Sequence, residues 1–303
     1  MFAGRRISTA LLTCAALILF SGCGTQPQSA IEIPSADAIT IKTNESPQVA
    51  RVVALANGSA EIISALGLKR LLVGRDIAST DSDLRVVPIV TSGHQIVPEK
   101  IISLNPDLVI IDKSTGPQNA LIALRKAGIA VVQTPEAWTL TDIPTKVSAI
   151  ASALGAPLGG AELNNAMAAQ SLAHLTGRTR IAFLYLRGGS AIYLIGGKGS
   201  GADSLIAAIG GVDVGAQQLK NPFNALTSEE MITLNPQVIL VMTKGLASTG
   251  GVAGLLALPG VAQTEAGKKK RVIAVDDSLL LSFGPRTPNL LLQLQEALVK
   301  VTK

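Results

Sequence analysis

The 303-residue chain is 48% hydrophobic and 16% charged, carries a formal net charge of +5, and has only two cysteines and two histidines. That composition excludes a disordered polyelectrolyte, is long enough for one large or two medium cores, and leaves too few cysteines for a disulfide framework. The charge excess is small, and its densest run, Lys268-Lys269-Lys270-Arg271, precedes the strand-like Val272 to Val275 and reads as a solvated turn rather than a nucleic-acid site.

The chain opens with Arg5 and Arg6, the 14-residue apolar run Ile7 to Phe20, and the small residues Ser21-Gly22 before Cys23. The run is shorter than the roughly 20 residues a membrane-spanning helix needs, so residues 1–22 are expected to be a secretory signal. The segment Phe20-Ser21-Gly22-Cys23 resembles a bacterial lipobox, with Phe20 where Leu is usual, and that resemblance implies diacylation of Cys23. Two acyl chains anchor stably at ~0.8 kcal/mol per buried methylene. Removing the signal takes Arg5, Arg6 and Cys14 with it, leaving a charge of +3 and no thiol for a disulfide, a metal cluster or nucleophilic catalysis. Export also argues against a nucleic-acid partner. Gly24 to Pro47, rich in Ser, Pro, Thr and Gln, predicts a tether over residues 23–48.

From residue 49 the chain is written twice. Ile102-Ser103-Leu104-Asn105-Pro106-Asp107-Leu108 returns 130 positions later as Ile232-Thr233-Leu234-Asn235-Pro236-Gln237-Val238, and Arg51 to Leu55 returns 129 positions later as Arg180 to Leu184. Two matches at nearly one offset predict the same supersecondary plan in each half. Short Val/Ile/Leu runs suited to strands buried on both faces alternate with helical stretches such as Ser59 to Leu66 and Ala120 to Lys126. The expected fold is α/β, with two similar Rossmann-like lobes of largely parallel sheet at 49–140 and 178–303. Both Asn-Pro pairs read as structural turns. Between the lobes, Asp142 to Leu154 and Gly160 to Leu175 predict a long helical linker over 141–177, which implies a modest opening motion about a ligand cleft.

The strings Thr91-Ser92-Gly93-His94, Phe183-Leu184-Tyr185-Leu186-Arg187-Gly188, Gly199-Ser200-Gly201-Ala202-Asp203 and Phe283-Gly284-Pro285-Arg286-Thr287-Pro288 resemble the helix-linked class of ABC solute-binding proteins. That class serves cobalamin, siderophores and haem, and the chain is most similar to its haem-uptake receptors. The resemblance implies haem b, as Fe(III), for cargo. It also implies a permease dimer with its cytoplasmic ATPase, upstream haem donors, a monomeric receptor, and a site on the outer face of the cytoplasmic membrane. By the same resemblance His94 and Tyr185 are the axial ligands and Arg187 supports Tyr185. A phenol with an ordinary pKa near 10 binds ferric iron as phenolate only where positive charge favours the anion, and Arg187, two residues along the strand, shares the face of Tyr185. From the residues alone, Tyr185 is also consistent with core packing, and His174 reads as structural. Arg286 is expected to contact a propionate or to hold its Gly-Pro-Arg turn. Glu61 and Asp203 are expected to dock the permease or to complement helix dipoles. Trp138 and Tyr193 are further cleft candidates.

A ferric-siderophore or cobalamin receptor of the same architecture is the nearer alternative, although a chain only 3% aromatic offers few rings to cradle a chelate. The enzyme alternative is a nucleotide loop at Gly196-Gly197-Lys198-Gly199-Ser200-Gly201. It lacks the Gly-Lys-Ser/Thr ending of a P-loop and an acidic residue about 20 positions on, so no enzyme is expected.

Overall fold

A computed structural model describes residues 30–93, 95–170, 178–186 and 193–303. Cys23, His94, His174 and Arg187 lie outside the described residues.

Strand β1 (Ile31–Ile33) opens the described chain. The first lobe carries β2 (Val52–Ala54), β3 (Leu72–Arg75), a small hairpin of β4 (Thr91–Ser92) and β5 (Gln95–Ile96), then β6 (Leu108–Ile111) and β7 (Ala130–Gln133). The second carries β8 (Arg180–Leu186), β9 (Tyr193–Gly196), β10 (Val212–Asp213), β11 (Phe223–Ala225), β12 (Val238–Met242) and β13 (Val272–Val275). The first lobe's main sheet, ordered β3-β2-β6-β7, is wholly parallel. In the second, β1-β13-β12-β8 and the short β10 are parallel, whereas β9 runs antiparallel to both of its neighbours, β8 and β11. The uninterrupted apolar runs of β6 and β12 are buried along their whole length, as strands covered on both faces must be. Val87 to Val90, strand-like in sequence, makes only an isolated bridge from Ile89 to Arg75.

The duplication survives in atomic detail. The helices Pro98–Ser103 and Ser228–Leu234 are followed by Asn105 and Asn235, whose φ values of 45° and 41° place both in the left-handed region that Asn tolerates better than most residues. Arg51 Nε donates to the carbonyl oxygen of Asn105 at 3.1 Å, and Arg180 Nε to that of Asn235 at 3.3 Å. The Asn-Pro pairs are therefore turns. The linker is a helical hairpin, Ile143–Leu154 and Pro157–Ala168, rather than one long helix. Gly155 (φ 77°) ends the first helix, and a Cβ on Gly160 would lie 2.6 Å from that of Ala151.

The tether expectation needs correction. Residues 31–48 are built into the fold as a strap. Ile31, Glu32 and Ile33 pair with Ile273, Ala274 and Val275 at the edge of the second lobe. Ile39 N–H then donates to Pro285 O, Ile41 N–H to Ala65 O, and Gln48 N–H to Leu154 O, at 2.8–3.1 Å. The strap thus touches second lobe, first lobe and linker in turn. One apolar core runs through all three, including Val52 and Ile62 of the first lobe, Val147 and Leu163 of the linker, and Phe183 and Ile273 of the second, with Ile33 from the strap. Smaller clusters pack the outer face of each sheet.

Candidate functional site

The carboxyl ends of the parallel strands in the two lobes point at one another, which is where open α/β sheets place their ligands. Asn57, just beyond β2, donates from Nδ2 to Leu281 O at 2.9 Å, and Thr80 Oγ1 donates to Ser278 Oγ at 2.8 Å. Trp138, 39% exposed, lies 3.6 Å from where a Cβ on Gly201 of the opposite lobe would sit, and donates from its indole to Glu136 Oε2. It lies where the two lobes meet.

Tyr185 stands near the carboxyl end of β8 and is half-buried. Its ring centroid is 5.3 Å from that of Phe223 on β11, and Phe223 meets the fully buried Phe183 edge-on at 6.5 Å. Strand alternation puts Phe183 and Tyr185 on one face, so the three rings form a continuous aromatic row. Phe223 was not a site candidate in the sequence; the scarcity of aromatics was the one signal that could have drawn attention to it. Tyr193 leaves the list of cleft candidates. It is 4% exposed, its hydroxyl donates to Pro259 O at 2.7 Å, and burial pushes its pKa up to about 12.

Arg286 and Glu61 are placed differently from either functional expectation. Arg286 Nη2 lies 2.9 Å from Glu61 Oε2, the Arg286 backbone N–H donates to Glu61 Oε1 at 3.0 Å, and Arg286 Nε is 3.7 Å from Asp81 Oδ2. Both residues are more than nine-tenths buried. Burial disfavours the guanidinium charge, but Glu61, Asp81 and Asp276 outweigh it and hold the Arg286 pKa above its ordinary value. Arg286 is thus an interlobe clamp whose charge is already neutralised, an arrangement that favours a holding role over a propionate contact. Glu61 lies beneath it with 3% of its surface exposed, which leaves a docking partner little carboxylate to reach. Beside them, Lys146 of the linker reaches across to Ser282 O at 2.7 Å, and burial pulls its pKa down to about 8 against the opposing pull of Glu61, Asp112 and Glu136.

Asp203 accepts from the Gly199 and Gly201 backbone N–H groups at 2.7 and 3.0 Å. The neighbouring amides of Gly197, Lys198 and Ser200 bond to carbonyls of Pro222, Leu219 and Gly197. A protein carboxylate and three carbonyls thus take the donors that a nucleotide phosphate would need, so the glycine loop is a braced turn. A cavity of about 620 Å³ lies under the strap, lined by residues including Asp37, Asp81, Asp83, Asp276 and Lys244. Tyr185 is not among its lining residues, and its polar walls, which carry Arg85 and Arg286 as well as the acids, do not suit a porphyrin face.

Among the described residues no helix is long and apolar enough to cross a membrane. At equivalent positions, Glu99 and Glu229 are exposed in the first turns of the two duplicated helices, 130 residues apart, with the partly exposed Ile102 and Ile232 one turn on. The duplication itself could have singled them out.

Residues 52–279 match the family model described as periplasmic binding protein. The chain is similar to a crystal structure of the haem-binding protein HmuT, with a TM-score of 0.79 and 32% identity over 89% of this chain and 97% of that one. Variants of HmuT with one histidine, one tyrosine or one arginine replaced by alanine have also been solved, the arginine two positions after the tyrosine. The apo periplasmic haem-binding protein RhuT of Roseiflexus sp. RS-1 has a TM-score of 0.78 and 36% identity over 84% of this chain and 99% of that one. A curated relative, the uncharacterized ABC transporter substrate-binding lipoprotein YvrC of Bacillus subtilis (strain 168), is 25% identical over 89% of this chain and 90% of its own length. With its two facing lobes, and with the family match spanning most of the described body, the chain belongs to the periplasmic binding protein family.

Proposed function

We propose that the protein is an extracytoplasmic receptor that captures ferric haem between its lobes and delivers it to an ABC permease, without catalysing a reaction. The observation that carries this reading is Tyr185, a half-buried phenol at the cleft end of β8 in an otherwise aromatic-poor chain. Tyrosine is an established donor to haem iron, and the bound cation itself favours the phenolate. His94 is proposed as the partner ligand from the first lobe and Arg187 as the charge beside Tyr185. The tyrosine–arginine spacing matches that of the HmuT substitutions. Cys23 is proposed as the lipidated residue that keeps the receptor at the outer face of the membrane.

For permease docking, Glu99 and Glu229 are the better-placed pair. Each opens a helix that runs back along the strand it precedes, so each carboxylate lies on the cleft side of its lobe, exposed, with an apolar Ile beside it. Two-fold related acids on a duplicated receptor suit a two-fold permease dimer.

The deciding measurement is an absorbance titration with hemin, set against cobalamin and ferric chelates. A Soret band growing to saturation, weakened and shifted in Tyr185→Phe and His94→Ala, is expected. An unchanged spectrum and affinity in both variants would remove the ligand assignment, and saturable binding of a chelate with no hemin Soret band would overturn the haem reading.

A further inference from the structure

We infer that Phe223 is a positioning residue for the Tyr185 phenol, fixing the angle at which its oxygen meets the cargo iron; this rests on the haem reading above. β9 lies between β8 and β11, with Leu184 opposite Ile195 and Gly196 opposite Phe223. A Cβ on Gly196 would come within 2.7 Å of the Phe183 ring. The missing side chain at Gly196 is therefore what lets Phe183 and Phe223 approach each other across an intervening strand. Phe183, with no exposed surface, backs Phe223 edge-on at an interplanar angle of 61°, and Phe223 in turn meets Tyr185 at 56°.

The row has a fixed end and a working end. Phe183 is held in the core shared by both lobes, whereas Phe223 and Tyr185 are only partly buried at its margin. A tyrosine has two side-chain torsions, and the second is broad unless packing restricts it. Phe223 supplies that restriction from a different strand, so the ring plane is set by the sheet register. Iron–phenolate overlap depends on this plane, and its spectroscopic signature is the phenolate-to-iron charge-transfer absorption.

The test compares the full-length, detergent-solubilised protein loaded with hemin with its Phe223→Leu, Phe223→Met and Phe223→Tyr variants, each alone and combined with Tyr185→Phe. Phe223→Met keeps volume without a ring and serves where Phe223→Leu fails to fold; Phe223→Tyr keeps the ring. Loss of the ring is expected to shift the charge-transfer absorption and speed haem release to apomyoglobin about three- to tenfold, the range of one aromatic pair, with Phe223→Tyr restoring both. In the Tyr185→Phe background the same changes should leave the release rate unmoved. An unshifted band in the ring-less variants, or equal acceleration with and without the Tyr185 hydroxyl, overturns the inference while the haem reading stands. A wild-type protein that gives no Soret band overturns both.

Discussion

Replacing Arg286 with Met separates the clamp from the ligand-contact role. The substitution removes the Nη2–Oε2 contact at 2.9 Å and leaves the Glu61 carboxylate, 3% exposed, with the backbone N–H of residue 286 still donating to it at 3.0 Å. Stranding one charge of a buried pair costs about 3–5 kcal/mol. In a body of this size each kcal/mol lowers Tm by about 2–4 °C, so calorimetry of the apo protein should show a fall of about 6–20 °C. Adding Glu61→Leu should return most of that loss, because a neutral pair has no orphaned charge. Hemin affinity at a temperature where the variant is folded should stay within about threefold of wild type, less than the tenfold that 1.4 kcal/mol would bring. A Tm within about 2 °C of wild type would refute the clamp, since it implies less than about 1 kcal/mol. A selective loss of haem binding at normal Tm would restore the propionate contact.

Further outcomes follow from the same geometry. Lys146 binds its proton less tightly when folded, at a pKa near 8 against 10.5 for the free side chain. The unfolded chain therefore holds more protons between these values, and stability should rise as pH climbs from about 8 towards 10, by up to about 3 kcal/mol. Urea unfolding across that range should show the rise in wild type and its loss in Lys146→Met. Charge reversal at Glu99 and Glu229 together should abolish haem import in cells while leaving the Soret titration of the purified receptor intact; normal import would remove the docking assignment. The two left-handed asparagines should differ. Asn105 is exposed, so Asn105→Gly should be neutral or mildly stabilising. The Asn235 side-chain oxygen accepts from the Glu265 backbone N–H at 2.7 Å, so Asn235→Gly should cost about 1 kcal/mol in chemical denaturation.

The features legible in the sequence are those with local causes. Leu104-Asn105-Pro106 and Leu234-Asn235-Pro236 announce a helix stop, a turn and a strand start within a few residues, and the structure has all three in both copies, with the Asn left-handed in each. The strap shows a local signal misread. Its Ser, Pro and Thr content imitates a linker, yet Ile31/Ile33 and Ile39/Ile41 alternate with period two, and those side chains pack against or into the shared core. Glu61 and Arg286 were readable only as a helix acid and a turn arginine, because their partnership spans 225 residues and nothing near either one encodes it. Phe223 was hidden for another reason. Its contact with Tyr185 follows from the antiparallel register of β9 and β11, which a chain read as largely parallel does not suggest.

The ties between the lobes bear on how such a receptor opens. The shared core, the Lys146 reach to Ser282, the Arg286–Glu61 pair and the strap all join the lobes or their linker, and each would have to be broken or stretched by a wide hinge movement. A buried pair and a continuous apolar core resist that far more than exposed contacts do. The strap also shortens the leash. If the acyl chains sit on Cys23, only seven residues separate it from Ile31 at the sheet edge, a reach of at most about 29 Å over the eight steps at full extension. Such an anchor would hold the body near the membrane by the second lobe's edge, and a receptor tied in this way would capture and hand over its cargo through small displacements at the cleft mouth. Tyr185 lies on that side, as do Glu99 and Glu229. On the docking proposed above, a permease engaging both acids at once would grip the two lobes over the proposed cargo site.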